Sequence, residues 1–181
     1  MKHEQDKKPG EAIEWIKSIV IAVALALFIK TFIFNSTYVL GKSMYPTLHE
    51  KDRLFAVKLP LYFREPRRGE VVVLEAPDSE DKDYIKRVIG IEGDKVEIFK
   101  GEVYLNGNKL EENYITDGSY THIYEQDTWL VPEDEVFVLG DNRKEGQSKD
   151  SRYFGCVSLD GIKGITGFRY FPFNDRFGKI K

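Results

Sequence analysis

One apolar stretch, residues 16–34, limits what this chain can fold into more than any other feature. It reads IKSIVIAVALALFIKTFIF, with eleven uninterrupted apolar residues from Ile19 to Ile29. A helix of this length, at ~1.5 Å per residue, is about 28 Å long, close to the hydrocarbon thickness of a bilayer. A buried core helix is the alternative, but a segment that is apolar on every face fits lipid better. We therefore predict a membrane-spanning helix, in which Lys17 and Lys30 can snorkel near the ends.

The residues on either side of this stretch predict its orientation and its fate. Lysines precede or open it, which favours a cytoplasmic N-terminus: Lys2, Lys7, Lys8 and Lys17. The competing interpretation is that the apolar stretch is a secretory signal and is cleaved off. The next residues, NSTYVLGKSM, however, contain no suitable small-x-small cleavage site. We therefore expect a cytoplasmic segment over 1–15, an uncleaved single-pass anchor in the plasma membrane over 16–34, and an extracytoplasmic domain over 35–181.

Short runs of β-branched and aromatic residues, separated by turn signals, fill the chain after residue 34. These runs predict strands: STYVL, RLFAV, EVVVLEA, YIKRVIGI, KVEIFK, EVYLNG, EVFVLG and GITGFRYF. The segment FKGEVYLNGN predicts a tight hairpin at Lys100-Gly101, followed by an Asn-Gly turn. No amphipathic helix of ordinary length competes, so we predict a mostly β domain built as an antiparallel sheet or barrel. The polar, tyrosine-rich residues 113–128 are expected to leave the sheet.

Composition argues against several classes of protein and site. Lys+Arg 27 against Asp+Glu 30 gives a net charge of -3 without a long basic run, so no nucleic-acid partner is expected. Cys156 is the only cysteine, which excludes an intramolecular disulfide, and the three histidines lack metal-ligand spacing. We expect no metal or other cofactor, and we expect Cys156 to be a small buried apolar residue.

A serine close to the predicted membrane surface is the first candidate reactive residue. Ser43, in GKSMYPTL (residues 41–48), follows Phe34 by nine residues, so a tether of ~3.3 Å per residue keeps it within about 30 Å of the bilayer. A serine in such a loop is by default a turn residue. Its neighbours Met44, Pro46 and Leu48 are expected to form an exposed apolar rim that meets substrate and lipid.

A lysine within an apolar strand is the second candidate. Lys86 lies in YIKRVIGIEGD (residues 84–94), and alternation puts it on one face with Tyr84 and Val88. A strand lysine is by default an edge residue that prevents aggregation. Lysine also serves as the base in Ser-Lys enzymes, but only its neutral amine can accept a proton. At a pKa of ~10.4, forming that neutral amine at pH 7 costs roughly 4.6 kcal/mol. A catalytic lysine must therefore be desolvated.

Four segments, taken together, resemble the conserved boxes of type I signal peptidases. GKSMYPTL resembles the serine box and YIKRVIGIEGD the lysine box, while RRGEVVVLEAP (67–77) and VLGDNRKEGQSKDSRYFG (138–155) resemble the other two. They follow the apolar stretch in the family's order. The resemblance implies a membrane-bound serine endopeptidase that removes signal peptides from exported precursors. It implies Ser43 as nucleophile, Lys86 as general base, and small residues one and three positions before the cut.

The same resemblance implies supporting roles for other residues. Ser148 would donate a hydrogen bond to Lys86 and orient it. Two acids would form ion pairs with arginines: Asp141 with Arg87, and Asp150 with Arg152. These pairs would support the site structurally rather than transfer protons.

Two positions mark differences within that family. Gly41 stands where one branch has a serine that helps hold the oxyanion, so this chain has the Gram-positive-like pattern. The chain also has four residues, Lys144 to Gln147, between GDNR and Ser148, where the family usually has two. Gly146 among them is expected to form a turn or a bulge.

Two other functions compete with this interpretation. A self-cleaving Ser-Lys peptidase, as in phage-type repressors, would use the same dyad, but the apolar stretch and the absence of a DNA-binding module argue against it. A membrane-anchored β binding module would leave Ser43 as a turn residue and Lys86 as an edge charge. It would also leave four ordered segments unexplained.

Overall fold

The computed structural model describes residues 9–180, and its first element is a long helix. Helix α1 spans Pro9–Phe28, and a π-helical turn, Ile29–Ile33, continues it. The segment Ala12–Ile33 is long and apolar enough to cross a membrane, and most of its side chains are exposed. Helical structure thus begins before residue 16 and ends before Phe34, which starts a strand. Three lysines used to predict the orientation lie outside the described residues: Lys2, Lys7 and Lys8.

Most of the remaining regular structure is β. The strands are β1 (Phe34–Tyr38), β2 (Arg53–Val57), β3 (Val71–Glu75), β4 (Asp83–Gly90), β5 (Lys95–Phe99), β6 (Glu102–Leu105), β7 (Asn108–Lys109), β8 (Thr128–Leu130), β9 (Glu135–Leu139), β10 (Val157–Ser158), β11 (Ile162–Phe171) and β12 (Gly178–Lys179). A four-residue helix, α2 (Ser151–Phe154), and two 3-10 turns, Leu59–Tyr62 and Leu159–Gly161, complete the list. The prediction of a mostly β domain is confirmed.

The larger sheet is antiparallel and carries the candidate site. Its order is β1-β2-β11-β3-β4-β9-β10, and β12 pairs with β11. Register shifts interrupt the pairing of β11 with both of its main neighbours and the pairing of β4 with β9. Such irregularities bend and twist a sheet locally. In the strand order given above, β4, which bears Lys86, lies inside the sheet, while β1, which follows the helix, forms an edge.

The smaller sheet, in the order β7-β6-β5-β8, contains both predicted turns. Lys100 and Gly101 have φ of 52° and 81° and join β5 to β6, as expected for the tight hairpin. Asn106 and Gly107 make the corresponding turn between β6 and β7. Residues 113–127 contain neither helix nor strand, and Thr128 begins β8.

A small apolar cluster lies beneath the loop that joins β1 to β2. Met44 and Leu48 contribute to it with 2% and 0% exposure, together with Val39 and Leu54. The predicted exposed rim is therefore wrong for Met44 and Leu48, and Pro46 is only half-exposed. The Leu48 N–H donates to the Met44 carbonyl at 2.8 Å, and this helix-like turn aims both side chains at the same side, inward. The cluster fixes the loop rather than presenting it to lipid.

Candidate active site

Ser43 lies in this β1–β2 loop and is held from the other side by the segment after β9. The Asn142 N–H donates to the Ser43 carbonyl at 2.9 Å, and the Asn142 side chain donates to the Lys42 carbonyl, also at 2.9 Å. Within residues 9–180, the Ser43 backbone N–H makes no hydrogen bond. Ser43 as a whole is half-exposed. The serine is thus rigidly placed, with one backbone donor still available.

Lys86 reaches Ser43 from the middle of β4. Its Nζ lies 3.0 Å from Ser43 Oγ and 3.2 Å from the Ile85 carbonyl oxygen. The residue is only 2% exposed, and the Tyr84 ring lies 4.8 Å from Nζ. The structure therefore brings together the two residues that the sequence singled out, in the geometry of a nucleophile and its base.

Burial changes the acid–base chemistry of this lysine. Removal from water lowers the pKa of Lys86 from 10.5 to about 8, although the negative charge of Asp150 opposes part of that change. At pH 7, roughly one molecule in ten then carries a neutral amine, compared with fewer than about one in a thousand for an exposed lysine. The desolvation that the sequence argument required is supplied by the fold.

Asp141 joins the strand of Lys86 to the serine loop. Its carboxylate accepts hydrogen bonds from Arg87 at 2.7 and 2.9 Å, and from the Thr47 hydroxyl at 2.5 Å. Both charged groups are buried, with side-chain exposures of 4% for Arg87 and 0% for Asp141. The predicted pair is formed. The pair is buried, and Asp141 also binds Thr47. Removal of either charged side chain would therefore leave the other charge uncompensated between β4 and the loop.

The second predicted pair fixes the segment that follows β9. Asp150 accepts two hydrogen bonds from Arg152 at 2.8 Å and one from the Gly140 N–H at 3.0 Å. Burial alone would raise the pKa of Asp150, but Arg152 and the other donors hold it below its ordinary value. A permanent negative charge is thus kept near Lys86, where it raises the pKa of the lysine.

Ser148 is buried beside the site but does not make the hydrogen bond expected of it. Its hydroxyl lies close enough to Asp150 to lower the pKa of that acid. Among the described residues, however, no partner meets ordinary hydrogen-bond geometry with it, and the contacts of Lys86 are those given above. The staggered rotamer that a serine adopts decides such a contact, and the sequence does not predict it.

Two residues that the sequence argument did not select shape the site. A Cβ on Gly140 would lie 2.2 Å from Ser148 Oγ and 2.5 Å from the Ser43 carbonyl oxygen, so only glycine fits there. Asn142 makes the two hydrogen bonds to the serine loop described above. Gly140 and Asn142 both belong to the VLGDNR segment, which the sequence had singled out. The sequence did not predict the contacts that these two residues make.

A groove of about 580 Å³ runs alongside the dyad. We call it the near groove; its walls are residues 37–41 on one side and 81–86 on the other, with Ser43 and Met44 at its end. Strand β4 pairs with β9 only from Arg87 onward, so within the described structure residues 83–86 have no strand partner on that side, although the Ile85 carbonyl accepts a hydrogen bond from Lys86 Nζ. Gly41 has φ of 85° and carries no side chain toward the serine.

Other reactive side chains play no evident part in the site. No group of three or more His, Cys, Asp or Glu residues capable of binding a metal occurs between residues 9 and 180. Cys156 is half-buried rather than fully buried, and it packs against the apolar cluster that the smaller sheet forms with strands β4 and β9. Burial raises the pKa of its thiol to about 11, which makes it a poor nucleophile.

Comparison with known proteins gives consistent matches along the chain. The family model described as signal peptidase, peptidase S26, matches residues 12–171. Signal peptidase I S of Bacillus subtilis is 40% identical over 185 residues, covering 97% of both chains, and a signal peptidase I of Bacillus amyloliquefaciens is 39% identical with the same coverage. A crystal structure of a signal peptidase I from Enterococcus faecalis is 32% identical with a TM-score of 0.47, covering 56% of this chain and 97% of that one.

Proposed function

The chain belongs to the signal peptidase family, peptidase S26, and from that premise we propose that Ser43 and Lys86 are the catalytic dyad of a membrane-anchored signal peptidase. Membership of the family makes the protein a serine peptidase that cleaves signal peptides from secretory precursors. The observation that carries the assignment of the dyad is the 3.0 Å separation between Ser43 Oγ and the buried amine of Lys86.

Acylation follows from this pair of atoms. Neutral Lys86 accepts the hydroxyl proton while Ser43 Oγ attacks the carbonyl carbon of the scissile peptide. The tetrahedral intermediate collapses when its C–N bond breaks, and the protonated amine of Lys86 gives its proton to the nitrogen that leaves with the mature protein. The signal peptide then remains as an ester on Ser43.

Deacylation reuses the same base. Lys86 takes a proton from a water molecule, which attacks the ester carbonyl, and Ser43 Oγ leaves and recovers that proton. In both steps the free backbone N–H of Ser43 is the donor available to the oxyanion. Gly41 supplies no side-chain donor, so the backbone carries more of this stabilisation.

The near groove suits an extended peptide. The free edge of residues 83–86 can add a substrate strand by backbone hydrogen bonds, which fix the peptide without regard to its sequence. Substrate side chains that point into the wall of the groove would then be selected by size, because a shallow pocket excludes large side chains. We propose this as the basis for small residues one and three positions before the cut.

We propose that Ala12–Ile33 spans the plasma membrane, with the N-terminus on the cytoplasmic side and the β domain outside. The length, apolar composition and exposure of this helix support the proposal. Strand β1 begins directly after it, and nine residues separate Phe34 from Ser43. The dyad would therefore work at the membrane surface, where the end of a signal peptide emerges.

Cleavage by point variants tests the dyad. The full chain, in detergent with phospholipid and a metal chelator, is given a purified precursor whose signal ends in Ala-x-Ala. We expect the wild type to cut after the second alanine, and we expect Ser43→Ala and Lys86→Met to be inactive. Ser158→Ala, which changes an exposed serine on β10, is the matched control and should cut like the wild type.

The same assay separates the alternatives. Cleavage by folded Ser43→Ala or Lys86→Met would exclude the dyad, and cleavage elsewhere in the precursor would exclude the proposed specificity. A self-cleaving enzyme would shorten its own chain in the absence of precursor, which mass spectrometry of the wild type detects. A binding module would leave every precursor intact.

A further inference from the structure

A second groove begins at Lys42, the residue next to Ser43, and the mechanism above does not use it. This second groove, the far groove, has a volume of about 670 Å³. Its walls include Lys42, Tyr45, His49, Glu50, Lys144 and Gln147. Neighbouring residues of the serine loop therefore line different grooves: Gly41, Ser43 and Met44 line the near groove, and Lys42 and Tyr45 the far one. A peptide that lies in the near groove and extends past Ser43 can therefore reach the far groove at Lys42.

The path of the chain shows which end of a substrate lies in each groove. The near groove is lined from residue 37 onward, only a few residues after the helix ends at Ile33. A signal peptide held in the bilayer approaches from that side. The far groove shares no lining residue with the near groove: it is formed by Lys42, by Tyr45 and residues 48–50 of the β1–β2 loop, and by Asn142, Lys144 and Gln147. It therefore lies where the residues after the cut leave the site.

A residue that lines the far groove is hydrogen-bonded to the loop that bears the nucleophile. Asn142, which also lines it, is 8% exposed and binds the carbonyl groups of Lys42 and Ser43. The same segment continues as a tight turn, in which the Gln147 N–H donates to the Lys144 carbonyl at 3.1 Å and Gly146 has φ of 69°. The four-residue stretch noted in the sequence thus forms a turn, as expected, and this turn borders the groove.

The charge of the far groove is mainly positive. Lys42 and Lys144 are exposed, whereas Glu50 is the single acidic residue of the lining. The lysines that form ion pairs in the described part of the chain are others: Lys95, Lys109, Lys149 and Lys163. Two ammonium groups are therefore available to a bound peptide.

We propose that the far groove binds the first residues of the mature protein and favours acidic side chains there. This inference rests on the proposed function, since it concerns the same cleavage reaction. Lys42 and Lys144 act as specificity residues that attract carboxylates of the departing segment and repel its lysines. Exposed ion pairs of this kind change binding by about two- to fivefold each, so two lysines predict a preference of roughly tenfold.

Two matched precursors test the proposal with the full chain in detergent and phospholipid. They share the signal, the Ala-x-Ala ending and the first residue after the cut, and they carry either three glutamates or three lysines at the next positions. We expect the wild type to cut the acidic precursor with about tenfold higher kcat/KM. Lys144→Glu should lower this acidic-to-basic ratio by about five- to tenfold, and Lys144→Ala should give a ratio between those of the wild type and Lys144→Glu. The ratio of the wild type should shrink at high salt.

A control distinguishes the far groove from net charge. Lys100→Glu makes the same charge change on an exposed turn of the smaller sheet. Its acidic-to-basic ratio should equal that of the wild type. Equal cleavage of both precursors by the wild type, or an equal shift in Lys144→Glu and Lys100→Glu, would overturn the inference but not the peptidase function. Failure of the wild type to cut either precursor would overturn both.

Discussion

Replacing Lys86 by methionine should abolish cleavage and at the same time stabilise the folded protein at neutral pH. Methionine keeps a similar length and shape but carries no charge, so it removes the cost of burying an ammonium group. Lys86 is 2% exposed, and its pKa is lowered from 10.5 to about 8. By linkage, this lowering is worth about 3 kcal/mol of the free energy of unfolding.

The sign of the effect depends on pH. Below about pH 8 the lysine is protonated in both the folded and the unfolded protein, so the full penalty lowers the stability of the wild type. Between pH 8 and 10.5 the folded protein releases the proton while the unfolded chain keeps it, and the stability of the wild type rises relative to Lys86→Met. The advantage of the variant should therefore shrink by about 2 kcal/mol between pH 7 and 9.5.

Urea unfolding of the full chain in detergent measures this difference. A Trp15→Phe background leaves Trp129, which is 7% exposed in the core, as the fluorescent reporter of the β domain. Lys42→Met, which removes an exposed lysine, is the control and should show no such pH dependence. A stability difference for Lys86→Met that stays constant from pH 7 to 9.5 would refute the argument that burial lowers the pKa of Lys86.

Four further outcomes are expected. The kcat/KM of the wild type should rise as pH climbs through about 8, because neutral Lys86 is the active form; a flat pH profile would contradict this. Gly140→Ala should lower kcat by at least about tenfold, because its Cβ would displace the Ser43 carbonyl, and a normal kcat would show that the loop tolerates the shift. Met44→Asp should destabilise the fold by several kcal/mol, whereas Met44→Leu should cost less than about 1.5 kcal/mol, as urea unfolding can measure. Iodoacetamide should leave activity intact, since Cys156 has a raised pKa and lies outside the dyad; inactivation of the wild type but not of Cys156→Ala would argue otherwise.

The predictions that the structure contradicts concern contacts that depend on distant parts of the chain. Met44 and Leu48 were placed in an exposed rim because their loop is rich in turn residues, yet both pack inward against a cluster that includes Val39 and Leu54. Ser148 was expected to bind Lys86, but its hydroxyl does not do so. Local sequence reports which residues are apolar or polar, but the direction of a side chain in a loop depends on what packs beneath it.

The sequence by itself determined the apolar helical segment, the eight longer strands and the two glycine-containing turns of the smaller sheet, because hydrophobic periodicity and turn preferences act between near neighbours in the chain. The two- and three-residue strands β7, β8, β10 and β12 were not predicted. It also singled out Ser43 and Lys86 through their motifs. Only the tertiary structure brought these residues, 43 positions apart, to 3.0 Å from each other. Only the tertiary structure buried Lys86, and its lowered pKa results from exclusion of water by segments that are remote in sequence.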